Sequence, residues 1–177
     1  MVMIAMMAVG CGGDISEGDA AKGWAATNNV LSNGNSMASA SGNGPEDAFS
    51  GLDYSFAYAC PEGGSADFKG KITLESIYGE FDWDVTYDNC GSEGVIIDGT
   101  LGFSLDTLST ETEYSLTYTY AGELIYSGDV DGVCVVDMTG GSSVNTTDSA
   151  ISYEVSYEGT ICGHDASEAL SGSVAAY

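Results

Sequence analysis

The 177-residue chain contains no arginine, three basic residues in all and a single histidine, against 27 acidic side chains, for a net charge of −24. So few cations exclude recognition of a phosphate backbone, which rows of Lys and Arg hold, and no nucleic-acid partner is expected. Adhesion to an anionic leaflet by charge alone is excluded for the same reason. Most carboxylates have no cationic partner within the chain and must face water. Long apolar runs are scarce too. Residues 1–10 form one, too short to cross a bilayer, which takes about 20 residues.

Catalytic motifs are also missing. There is no Gly-x-Ser-x-Gly, no His-Glu-x-x-His and no phosphate-cradling glycine loop, and His164 is the one imidazole on which a triad could be built. Neither an enzyme nor a cofactor is expected. A pair of carboxylates facing across a cleft, as glycan hydrolysis requires, is the remaining catalytic option.

What is present is alternation. From Gly51 onward apolar and polar residues change places every second position: Tyr54, Phe56 and Tyr58; Phe68, Ile72 and Leu74; Phe81, Trp83, Val85 and Tyr87. The pattern continues through Val95 to Leu105, Tyr114 to Tyr120 and Ile151 to Tyr157, with shorter segments at Leu124–Ser127 and Val133–Met138. Period two over whole segments predicts antiparallel strands with one dry face and one wet face. Turns are expected at Gly63-Gly64, Asn89 to Gly94, Gly122, Asp131-Gly132 and Gly140-Gly141. The predicted fold is all-β, a meander of about eight strands curled into a barrel, a half-barrel or a sandwich. Before it, Ser16 to Ala40 reads either as a helix capped by Ser16 or as a flexible tether. Trp24 in that stretch calls for a docking surface.

Cys60, Cys90, Cys134 and Cys162 lie among the strands, while Cys11 stands apart at the end of the apolar run. Four cysteines allow three connectivities. Cys60–Cys90 and Cys134–Cys162 are favoured, because each pair brackets a local group of strands. Each bridge would stabilise the fold by about 3–4 kcal/mol by constraining the unfolded chain. No zinc-binding spacing occurs, so no metal site is expected.

Tyrosines dominate the apolar positions. Tyr54, Tyr58, Tyr87, Tyr114, Tyr118 and Tyr153, with Tyr120 and Tyr157, fall on the dry side of their strands. They either line a cavity for an amphiphile or a glycan, or fill the rim of a shallow core with their hydroxyls turned to its edge. Glu80, Asp82, Asp84 and Asp88 form an acidic row along one strand face, suited at most to diffuse calcium binding. Asp129-Val-Asp131-Gly132 reads as a hairpin turn, since Gly140 occupies the place of a calcium loop's closing acid.

Ala8-Val9-Gly10-Cys11 resembles the lipobox of bacterial lipoproteins, in which small residues precede a cysteine that receives a diacylglycerol thioether. No Lys or Arg occurs before Lys22, so the basic start of such an export signal is expected upstream of Met1. The resemblance implies a signal-peptide remnant over 1–10, lipidation of Cys11, and a cell-envelope location anchored in the outer membrane, facing the periplasm or the exterior. The remaining chain then divides into a lipidated tether over 11–50, a β domain over 51–163 and a C-terminal tail over 164–177. The expected role is a non-catalytic structural or interaction module held at the membrane by its lipid, meeting an envelope protein, a glycan or an apolar ligand. The alternative is a carrier or sensor that holds a small apolar ligand in a half-open barrel.

Overall fold

The computed structural model describes residues 14–40, 52–75, 78–109, 113–147 and 150–171. Cys11, the apolar run, residues 41–51 and residues 172–177 lie outside them. Helix α1 (Glu17–Ala40) is followed by β1 (Leu52–Ala59), β2 (Ser65–Glu75), β3 (Tyr78–Ser92) and β4 (Val95–Ser109). Then come β5 (Glu113–Gly128), β6 (Gly132–Thr147), β7 (Ala150–Ile161), β8 (His164–Asp165) and the short α2 (Ala166–Ala169). The strands form one eight-stranded antiparallel sheet in sequence order, β1 through β8. The sheet does not close, and β1 and β8 are its outermost strands.

Residues opposite one another across the strands share a face. Phe56, Phe68, Val85, Leu101, Gly122, Val136 and Ile161 make one continuous row across seven strands. Such rows build the dry face. Its aromatic rings touch in series: Phe56 stacks on Phe68 at 4.7 Å, Phe68 meets Trp83 edge-on at 6.0 Å, and Trp83 meets Phe103 at 6.3 Å. Phe103 then packs on Tyr120 at 5.1 Å, and Trp24 of α1 stands edge-on to Tyr120 at 4.9 Å. Each such pair adds about 0.5–1.5 kcal/mol beyond area burial.

Helix α1 covers this face. Its start is capped as the sequence predicts: the Asp19 amide donates to the Ser16 hydroxyl at 3.2 Å, and that hydroxyl donates to the Asp19 carboxylate at 2.7 Å. Ala20, Gly23, Thr27, Val30 and Gly34 are buried and recur at helical spacing along one side. Gly23 and Gly34 weaken the helix as a sequence. In the fold they are its seats. A Cβ at Gly34 would stand 2.5 Å from Cζ of Phe68, and one at Gly23 would stand 2.6 Å from Cε2 of Tyr126. Aromatic rings of the sheet therefore lie directly on the helix backbone. Lys22 reaches the β5–β6 turn through a 2.7 Å salt bridge to Asp129, and the Asn29 amide reaches the β3–β4 turn by donating to Glu93 at 3.1 Å.

Three expectations change. Gly122 and Gly140-Gly141 are not turns but lie inside β5 and β6, so the segments read as separate short strands merge into strands of 16 residues each. Gly122 is needed there because neighbouring strands approach closely, and a Cβ would come within 2.9 Å of the Leu101 Cα. The turn read over 89–94 narrows to Glu93-Gly94, both at positive φ (55° and 78°), the conformation a two-residue hairpin demands. Strand β3 reaches it through a bulge at Asn89, whose amide donates to the Asp98 carboxylate at 2.8 Å. Finally, residues 164–171, expected to begin a tail, form β8 and α2 and bury Leu170 completely. The Asp165 carboxylate caps α2 by accepting from the Ser167 and Glu168 amides.

Both disulfides take the favoured pairing, Cys60–Cys90 and Cys134–Cys162. Each lies at the end of the sheet that holds the β1–β2, β3–β4, β5–β6 and β7–β8 turns. The bulge makes the first one possible, since it returns Cys90 to the dry face that Cys60 occupies.

Gly34→Ala and Gly23→Ala should each raise intrinsic helix propensity by about 1 kcal/mol yet destabilise the protein by about 1–3 kcal/mol through overpacking. Denaturant unfolding checks this. Gly18→Ala, at a helix position with open space around it, should show the opposite sign.

Candidate functional site

The tyrosine face is the first candidate from the sequence, and it is filled at the disulfide-braced turn end. Tyr58 and Tyr87 are buried, and Tyr118 is half-buried with its hydroxyl 3.4 Å from that of Ser142. Tyr54, Tyr114 and Tyr153 occupy strand positions opposite Gly70, Val144 and Val144 respectively, and their side chains lie outside the described residues. Tyr126, which the sequence reading did not single out, is fully buried and shares a 3.0 Å hydrogen bond with the Thr27 hydroxyl of α1.

The opposite face is wet and bears a trough of about 650 Å³. Two rows of the sheet build it. Ser55, Lys69, Asp84, Gly102 and Ala121 are opposed across β1 to β5, and beside them Lys71, Asp82, Ser104 and Thr119 are opposed across β2 to β5. These are the polar partners in the same alternation that buries Phe68, Trp83 and Phe103. Gly102 and Ala121 leave the floor low; a Cβ on Gly102 would lie 3.6 Å from the Asp84 carboxylate. Nearer the turn end, the exposed side chains of Ile96, Ile125, Val133 and Val135 interrupt the polarity of this face.

Half of the acidic row read from the sequence has a basic counterpart across the strand gap, while Glu80 and Asp88 stand opposite Thr73 and Ser65. Asp84 is opposite Lys69, and Asp82 is opposite Lys71. Opposite charges so placed favour this register over one that would set like charges against each other. Among the described residues no three carboxylate, imidazole or thiolate groups converge. The one salt bridge among them is Lys22–Asp129, so no described carboxylate lies within ion-pair distance of the Lys69 or Lys71 ammonium group. Sequence reasoning singled out Asp82 and Asp84 as part of the acidic row, whereas Lys69 and Lys71 were only polar alternates of their strand. The register that unites them was not legible locally.

Two other sequence candidates, Asp129 and His164, are structural, as is Asp165 beside the latter. Asp129 is bound to Lys22, whose ammonium holds its carboxyl below the usual range through a hydrogen bond and direct attraction. His164 Nε2 lies 2.7 Å from the Ile15 carbonyl and ties the start of the described chain to β8. Asp165 serves as the α2 cap, and its hydrogen bonds from Ser167 and Glu168 lower its pKa.

Burial raises the Tyr87 hydroxyl well above its ordinary pKa, with repulsion from Tyr126 and Tyr120 adding to it. Tyr126 is pushed up to about 12 by burial, partly offset by its hydrogen bond to Thr27. In the unfolded chain both ionise near 10. Their contribution to stability is therefore complete below pH of about 10 and is lost as pH rises through the folded values. Unfolding midpoints should fall steadily above that pH, and the phenolate absorbance of the native protein should show a late-titrating fraction. Tyr126→Phe should flatten part of the fall.

Comparison with protein families, with curated proteins and with solved structures finds no match to this chain.

Proposed function

We propose that this chain is a non-catalytic cell-envelope lipoprotein, anchored through Cys11, whose β domain is an interaction module that meets its partner with the uncovered face of the sheet. One observation carries the choice of face. The dry side is occupied by α1 and its buried rings, whereas the other side presents exposed polar side chains around an open trough. The apolar run ending in Ala8-Val9-Gly10-Cys11 supports the anchor, as does the pairing of every other cysteine in the chain. The alternative, a carrier holding an apolar ligand in the half-open sheet, needs space among the tyrosines. Tyr58, Tyr87 and Tyr126 are buried against protein there, and no observation favours it.

Folding up to Ile15 changes what the anchor does. A tether over 11–50 would hold the domain far from the bilayer. With Ile15 buried and α1 starting at Glu17, only a few residues separate the lipid from the folded part, a reach of about 14 Å when fully extended. The lipid would keep the disulfide-braced turn end near the membrane. Lys69 then sits about 15 Å farther along its strand, turned to solvent.

Intact-mass measurement of the detergent-extracted protein tests the anchor. The expected species starts at Cys11 and carries a diacylglyceryl group, and Cys11→Ser should release the protein to the aqueous phase. An unmodified Cys11 in membrane-associated protein would defeat the lipoprotein reading. A stoichiometric apolar molecule retained after gentle extraction would move the reading to the carrier.

A further inference from the structure

We infer that the trough binds a neutral, polyhydroxylated chain, a glycan segment; this rests on the interaction-module reading and names what that face recognises. The chemistry of its walls selects the ligand. Lys69 and Lys71 are two of the three cations in the whole chain, and the third, Lys22, is engaged with Asp129. Both project into one site, two residues apart on β2, each opposite an aspartate of β3. Donor thus faces acceptor at about 5 Å across the strands, while each kind repeats at about 7 Å along its own strand.

A lone anion would gain two ammonium groups and meet two carboxylates. A lone cation would meet the reverse. Adjacent hydroxyls on a sugar ring accept from one ammonium and donate to the neighbouring carboxylate at the same time, so they satisfy both without leaving a charge unmatched. Ser104 and Thr119 add neutral hydroxyls on the side away from the lysines. The low floor of Gly102 and Ala121 admits the C–H face of a ring. A volume of about 650 Å³ lies within the range of ligand sites, about 300–1,000 Å³. A polyanion is opposed by the net charge of −24.

The test is amide chemical-shift mapping on the full chain with four probes. Three are neutral hexasaccharides (maltohexaose, cellohexaose and chitohexaose), and the fourth is the anionic hexagalacturonate. At least one neutral probe should shift the amides of Lys69, Lys71, Asp82, Asp84 and Ser104 while leaving those of α1 unmoved. Lys69→Ala/Lys71→Ala should weaken that binding about tenfold or more, the scale of one lost charge-assisted hydrogen bond. Gly102→Val, on the wet face, should abolish it with the fold intact by the dispersion of its amide spectrum. Silence of all three neutral probes at these amides overturns the inference, as does binding by hexagalacturonate alone or shifts that map elsewhere. The membrane reading fails separately, on the mass of Cys11, and sugar binding by an unlipidated protein would leave the trough assignment standing.

Discussion

An antiparallel sheet that does not close must bury its dry face against something, and here that depends on how near α1 can come. Gly23 and Gly34 bring the helix backbone into contact with the rings of Tyr126 and Phe68. At that distance Trp24 reaches Tyr120, and Thr27 reaches the Tyr126 hydroxyl. Larger residues at the two glycines would lift the helix off the aromatic row and open the interior to water. With α1 laid over the dry face, Phe68, Tyr126 and their neighbours are buried without the sheet closing on itself.

From that seat the rest of the molecule is ordered. The same helix fastens the β5–β6 turn through Lys22 and the β3–β4 turn through Asn29. The two disulfides brace this same end, and β8 with α2 closes it, where His164 holds the Ile15 carbonyl. Stability is thereby concentrated at one end of long strands. The other face is left to side chains that make few internal contacts, and it is there that Lys69, Lys71, Asp82 and Asp84 are gathered.

Much of the fold was legible in the residues. Alternation from Tyr54 to Tyr157 marked the strands, Ser16 and Asp19 marked the helix start, and local bracketing marked both disulfides. Errors came where glycine had two meanings. At Gly122 and Gly140-Gly141 glycine reads as a turn, yet it serves close approach between paired strands. At Gly23 and Gly34 it reads as helix weakness, yet it serves close approach of helix to sheet. Propensity describes a residue alone, and close approach is a property of two segments.

The sequence by itself determined the class of fold and the wet and dry character of each strand face, and it favoured the cysteine pairs, because period-two patterning is carried locally along the chain. Tertiary structure alone decided which face was sealed and which side chains met. Thr27 and Tyr126, 99 residues apart, touch only once α1 is seated, and Lys69 faces Asp84 only once β2 and β3 are in register. Burial of Tyr58, Tyr87 and Tyr126 moved the candidate site to the opposite side of the same strands. A strand's alternation says that it has two faces, and the packing of a distant helix says which of them is free to bind.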